Sequence, residues 1–208
     1  MLNPVTGHSL TQFSLEILAR AMVKLDRLEL KSLPSCDHIN TILTRSAGIQ
    51  DSKLRRLSAV RYGVKISGMD PDILSQALIK LEALGDWMGL WVILSPDQVL
   101  ALFSRIRESP LSNLIELDLW DWDVSLVPPE VFAGALSRLE TVVFEFESGV
   151  TRAQLEALFM LLFSQQKDLV IFDTDRSSVS PGVLVGTIQK LDEVVFQAGL
   201  SGFILSKH

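Results

Sequence analysis

The sequence predicts an α/β solenoid of about seven strand-loop-helix units. Three observations carry this reading. Leucines that open a short strand recur at positions 25, 54, 81, 114, 139, 169 and 191, a mean spacing near 28 residues. The segments between them carry apolar residues at i, i+3, i+4 and i+7, the single face of a 3.6-residue period. A second, doubled period is superimposed: Leu18–Leu25, Leu74–Leu81, Phe132–Leu139 and Leu184–Leu191 are similar octets that recur every 52 to 58 residues. Fixed periods of this size mark arrays in which each unit buries its apolar face only against its neighbours.

Taken in order, residues 1–13 hold Pro4 and Gly7 with little periodicity and read as an N-terminal cap or partial repeat. Residues 14–208 read as one solenoid domain. Leu18, Ala21, Met22 and Leu25 make the first helical face and run into the strand Leu25–Leu30. The second helix has Ile39, Ile42 and Leu43, but Ser46 stands where a fourth apolar residue belongs; Leu54, Leu57 and Ala59 mark the next strand. Asp70 is placed to cap a third helix with Pro71 at its first position, where a missing N–H is harmless. Leu74, Ala77, Leu78 and Leu81 are that helix's buried face. The strand after it is irregular, with Asp86 at its sixth position, and the aromatic stretch Trp87–Leu94 predicts an insertion or distortion.

Ser95 and Gln98 form a capping box, as do Thr151 and Gln154 further on. The faces of the helices between and after them are Val99, Leu102, Phe103 and Ile106; Phe132, Ala135, Leu136 and Leu139; and Leu155, Leu158, Phe159 and Leu162. Strands are expected at Leu114–Leu119, Leu139–Phe144, Leu169–Thr174 and Leu191–Phe196, with one more helix starting at Ser180 and Pro181.

Composition narrows the function classes. With 48% hydrophobic residues, the 208-residue chain can bury a substantial core. A formal charge of −6 argues against a general binder of phosphate backbones and suits a partner with a basic surface. The single Cys36 cannot form an internal disulfide, which favours a reducing, cytoplasmic setting. No secretory signal and no span of about 18 apolar residues is evident, so no membrane partner is expected.

The units resemble leucine-rich repeats of the ribonuclease-inhibitor type, on the strength of Leu-x-x-Leu-x-Leu strands and Leu-x-x-Ala-Leu-x-x-Leu helices from about Ser14 to Phe196. The resemblance implies a right-handed horseshoe, parallel strands on the concave side and helices outside, and a protein-binding scaffold without catalysis or cofactor. One departure stands out. Where that family places Asn or Cys to bond backbone along the turns, this chain has Leu33, Tyr62, Gly89, Trp122, Glu147, Ser177 and Gly199. Buried amides are rarely left unpaired, so other partners and irregular turns are expected.

Period-two alternation turns strand positions three, five and seven outward. The first two units are then basic (Arg27, Lys31, Arg56, with Glu29), and the later ones acidic. The candidate partner-binding residues are Trp87, Glu116, Asp118, Trp120, Glu145, Asp173, Asp175 and Glu193, an acidic face with tryptophan anchors for a protein with a basic surface. A plainer reading makes the acids a solubilising surface and the tryptophans plugs of the insertion. An alternative function is a structural subunit that assembles through its convex helices, or self-associates through a C-terminal sheet edge at Val194–Phe196. Residues Leu200–Leu205 are expected either to cap the array or to lead into more of it.

Catalysis is not expected. Asp118, Asp121 and Asp123, or Asp173 with Asp175, lack the spacing of a calcium loop. Cys36 and His38 are two residues apart, a poor arrangement for a nucleophile and its base. The cluster Lys53, Arg55, Arg56 and Arg61 reads as a solvated loop or a local contact for an acidic protein or a nucleic acid.

Overall fold

In the computed structural model, the chain is described at residues 17, 20–21, 24–30, 36–59, 64–66, 68–84, 90–119, 122–143, 149–165, 169–172, 193–198 and 201–206. Among these residues lie five helices, α1 (Cys36–Gly48), α2 (Pro71–Leu78), α3 (Pro96–Glu108), α4 (Pro129–Leu136) and α5 (Arg152–Gln165). The strands are β1 (Arg27–Leu30), β2 (Arg56–Ala59), β3 (Val64–Lys65), β4 (Ala83–Leu84), β5 (Val92–Ile93), β6 (Glu116–Asp118), β7 (Thr141–Val143), β8 (Leu169–Phe172), β9 (Glu193–Ala198) and β10 (Ser201–Ser206).

Helices start where local chemistry lets them. Asp70 accepts from the amides of Asp72 and Ile73 at 3.0 and 3.1 Å, with Pro71 first in α2. Both capping boxes close: Gln98 and Ser95 exchange bonds of 3.4 and 3.0 Å, Gln154 and Thr151 bonds of 3.3 and 2.8 Å. The apolar stripes then go inward. Val99, Leu102, Phe103 and Ile106 are fully buried, as are Phe132, Ala135 and Leu136, and the rings of Phe103 and Phe132 stack at 5.5 Å. Ser46, the polar residue in the α1 stripe, is buried with its hydroxyl 3.2 Å from that of Ser52.

Each buried leucine or phenylalanine contributes about 1.5–3 kcal/mol relative to exposure. Packing of these faces, more than intrinsic propensity, therefore holds helices of 8 to 14 residues. The helices pack on one another in chain order, α1 on α2 through α4 on α5. At the N-terminal end the expected face is incomplete: Ala21 is exposed, while Leu18 and Met22 lie outside the described residues.

The seven-unit horseshoe is not what the chain forms. Among the described residues the strands fall into four separate small sheets: β1–β2, β3–β5, β4–β6–β7 and β8–β9–β10. The break comes at the third unit, where only Leu81 and Leu84 occupy apolar strand positions and β4 is two residues long. After it, Leu84 makes an isolated parallel bridge to Leu90, and β5 leaves the row to pair with β3. β5 lies in the stretch Trp87–Leu94 where a distortion is expected, of which residues 87–89 are outside the described residues; β4 still pairs directly with β6, and the gap in the ladder falls between β2 and β4. At the far end β9 and β10 are antiparallel.

Register is nevertheless kept locally. Arg27 aligns with Arg56, Ala83 with Glu116 and Glu116 with Thr141, as the leucine markers require. Backbone bonds of 2.9, 2.8, 2.9 and 2.7 Å link residue 55 to 26, 82 to 55, 115 to 82 and 140 to 115, so the strand starts form one row. In the last pair Leu169 aligns with Val194, three residues beyond the expected Leu191. The proposed terminal edge at Val194–Phe196 is also corrected, because β9 is paired on both sides and β10 covers it.

Side chains supply the missing partners of the turns. The Gln98 amide donates to the carbonyls of Ile66 and Met69 at 3.0 and 2.9 Å, and the Gln154 amide to those of Val124 and Val127 at 2.6 Å each. Trp122, fully packed in the core, donates its indole N–H to the Val92 carbonyl at 2.6 Å. Helix ends are treated alike. The Lys80 ammonium donates to the carbonyls of Ser46, Ala47 and Ile49 at the end of α1, at 2.6, 3.1 and 2.9 Å, and Arg138 donates to the carbonyl of Arg107 near the end of α3 at 2.8 Å.

Candidate functional site

The solvent side of the strand row is the part of the described surface where charged side chains are held in a fixed order. In β1, Arg27 and Glu29 are exposed while Leu30 is buried; in β2, Arg56 is exposed and Leu57 is buried. Alternation places these charges on the face away from the helices. Parallel register then sets Arg27 beside Arg56 on strands about 4.8 Å apart. Two like charges so placed repel unless a counter-charge sits between or beyond them.

Glu82 provides it for Arg56. Its carboxylate accepts from the Arg56 Nε at 2.6 Å, bridging β2 and the start of β4. The Glu82 hydrogen bond first, then its charge, with smaller contributions from Asp26 and Glu116, raise the Arg56 guanidinium above its ordinary value. Further along, Ala83 is buried, Glu116 follows at the same strand position, and the exposed Glu140 stands one residue before Thr141. At the third strand position the row therefore changes from Arg27 and Arg56 to Glu116, with Asp26, Glu82 and Glu140 on the preceding level and Glu29 two residues beyond Arg27.

Of the candidate residues, Glu116 lies in this row and is partly exposed. Asp118 does not behave as alternation predicts: it is buried, with 1% of its surface accessible, and is not offered to solvent. Glu193 falls in β9. Trp87, Trp120, Glu145, Asp173 and Asp175 lie outside the described residues, as does Asp121. Glu82 and Glu140 were not singled out from the sequence, since they occupy the second strand position. A glutamate there is long enough to reach an arginine on the neighbouring strand, a signal that becomes readable only once the register is known.

The basic cluster is divided among separate tasks. Arg55 donates to the carbonyls of Ser52 and Lys80 at 3.2 and 3.5 Å, Arg56 pairs with Glu82, Lys53 is exposed, and Arg61 is outside the described residues. Burial, and after it the charge of Arg55, pushes the Lys80 ammonium below the ordinary lysine value; the three helix-end carbonyls stand in for its lost water. Cys36, at the start of α1, is an exposed free thiol.

Among the described residues no three His, Cys, Asp or Glu side chains converge as metal ligands would. No helix among them is long and apolar enough to cross a membrane. Comparison with protein-family models, with curated proteins and with solved structures finds no match for this chain.

Proposed function

We propose that the chain is a non-catalytic protein-interaction module that receives its partner on the charged strand row. The observation that carries this reading is the register-fixed order Arg27, Arg56, Glu82, Glu116 and Glu140 across five neighbouring segments. Charges held on short, laterally bonded strands are pre-organised, so a partner pays little to order them. The acidic end suits a basic protein segment, in keeping with the net charge of −6. The exposed thiol of the single Cys36 fits a reducing, cytoplasmic setting.

The test is binding of a lysine- and arginine-rich peptide, followed by fluorescence anisotropy with increasing salt. Glu116→Arg is expected to weaken binding roughly tenfold, and salt to weaken it further. Binding that is indifferent to both would overturn the reading.

A second reading, a subunit built into a larger assembly, draws support from β10. That strand has β9 on one side and no strand on the other among the described residues, and its sequence includes Phe203, Ile204 and Leu205. An apolar outer strand is a template for another chain. Assembly that disappears with Ile204→Lys and persists with Glu116→Arg would favour this reading over the first.

A further inference from the structure

The helix layer holds one arrangement that its repeat does not require. Ile39, Ile42 and Leu43 of α1 match Val99, Leu102 and Phe103 of α3, which makes Ala47 the counterpart of Arg107. Leu74, Ala77 and Leu78 of α2 match Phe132, Ala135 and Leu136 of α4, which makes Gln76 the counterpart of Gly134 and Lys80 that of Arg138. In the first pair of helices Ala47 is buried and Gln76 exposed. In the second, the exposed Arg107 lays its stem over Gly134, with Cγ and Cδ 3.2 Å and Nε 3.4 Å from the place a Cβ would take. Arg138, also exposed and just past the end of α4, donates to the Arg107 carbonyl at 2.8 Å. Two unrelated contacts therefore hold two guanidinium groups at the same end of α3 and α4. Arg105 turns away to Asp72 of α2 at 3.6 Å. Glu108, Glu130 and Glu140 are exposed, yet among the described residues no carboxylate lies within ion-pair distance of Arg107 or Arg138.

We propose that Arg107 and Arg138 form a clamp for a carboxylate carried by an acidic segment of a partner protein. Like charges held together raise each other's energy until an anion joins them. A guanidinium fork matches a carboxylate in two parallel hydrogen bonds. Arg138 spends one of its five N–H donors on the Arg107 carbonyl, and the guanidinium of Arg107 spends none among the described residues. With its stem seated on α4, Arg107 loses little freedom when the ligand arrives. The clamp stands at helix C-termini, where the dipole is negative, on a chain of −6. A singly charged carboxylate meets less opposition there than a doubly charged phosphate. The site uses other residues than the strand row and takes a ligand of opposite charge, so it goes beyond the reading above.

Fluorescence anisotropy of a labelled oligoglutamate peptide on the full chain tests the clamp. The variants are Arg107→Gln, Gly134→Ala and, as a charge-matched control at the start of α5, Arg152→Gln. Gly134→Ala keeps every charge and favours the helix, but its methyl group displaces the Arg107 stem. The expected result is wild-type binding that weakens with salt, a loss of roughly tenfold in Arg107→Gln and roughly threefold in Gly134→Ala, and a change within about twofold in Arg152→Gln. Unchanged helical circular dichroism shows each variant to be folded. No binding by the wild type, or equal losses in Arg107→Gln and Arg152→Gln, overturns the clamp, since net charge alone would then govern capture. Wild-type affinity in Gly134→Ala overturns the seat on α4. Displacement of the peptide by inorganic phosphate at matched ionic strength overturns the choice of a carboxylate.

Discussion

The two sides of the strand layer treat polar residues in opposite ways. On the turns between strand and helix, polar side chains are buried and they repeat: Gln98 and Gln154 each close a capping box and each staple two carbonyls of the preceding turn, at equivalent places 56 residues apart. At the third position of the strands, by contrast, equivalent residues read Arg27, Arg56, Ala83, Glu116 and Thr141, and the chemistry changes from basic to apolar to acidic along the row. Backbone groups inside the protein must find partners, and one solution serves each time. The open face has no such obligation. It is where the chain is free to encode what it binds.

Substitutions can break or sharpen this contrast. The largest effect is expected from Gln154→Leu, which keeps the volume but leaves two buried carbonyls and the Thr151 amide without their partner. A loss of about 2–4 kcal/mol should appear in urea denaturation. Gln98→Leu should cost somewhat less, about 1–3 kcal/mol, because only one of its two carbonyl bonds is fully buried.

The helix-end cations form a finer pair. Lys80 serves three carbonyls in a partly buried setting and Arg138 serves one at the surface, so Lys80→Met should cost about 1–2 kcal/mol and Arg138→Met about 0.5 kcal/mol or less. The smallest effect is a matter of pH. The Asp123 carboxyl, bonded by the side chain and then the backbone of Ser125, is held below the usual carboxylate range. Its contribution is present above the ordinary value and is lost as pH falls through the lowered one; Asp123→Asn should flatten that acid-side slope slightly.

What could be read from the sequence was what local spacing determines. Capping boxes at Ser95 and Thr151 need only residues three apart, and the helix stripes need only one turn of memory. The Lys80 and Arg138 caps had a signal too: Lys24, Lys80, Arg138 and Lys190 all stand just before the marker leucine of the repeated octets. Their partners lie about thirty residues away, so the role appears only when helices pack. Continuity of the sheet is another non-local property. Six convincing strands do not guarantee a seventh-unit horseshoe when the third unit supplies two ladder residues and the next segment pairs elsewhere.

The register at the end slipped for a related reason. Val194, Val195 and Phe196 are apolar on both faces, and such a strand specifies its alignment weakly. The candidate face was half legible. The residues of β1, β2 and β6 followed from alternation, whereas the burial of Asp118 depends on what packs over the strand and left no trace in its spacing.

The separation between a buried, repeated scaffold and an open, variable face is tested most directly by one urea titration of Gln154→Leu beside Glu116→Arg. The expected result is a loss of about 2–4 kcal/mol for Gln154→Leu and a change within about 0.5 kcal/mol for Glu116→Arg. Equal destabilisation by the two would contradict it, since the charged row would then be part of what holds the fold together.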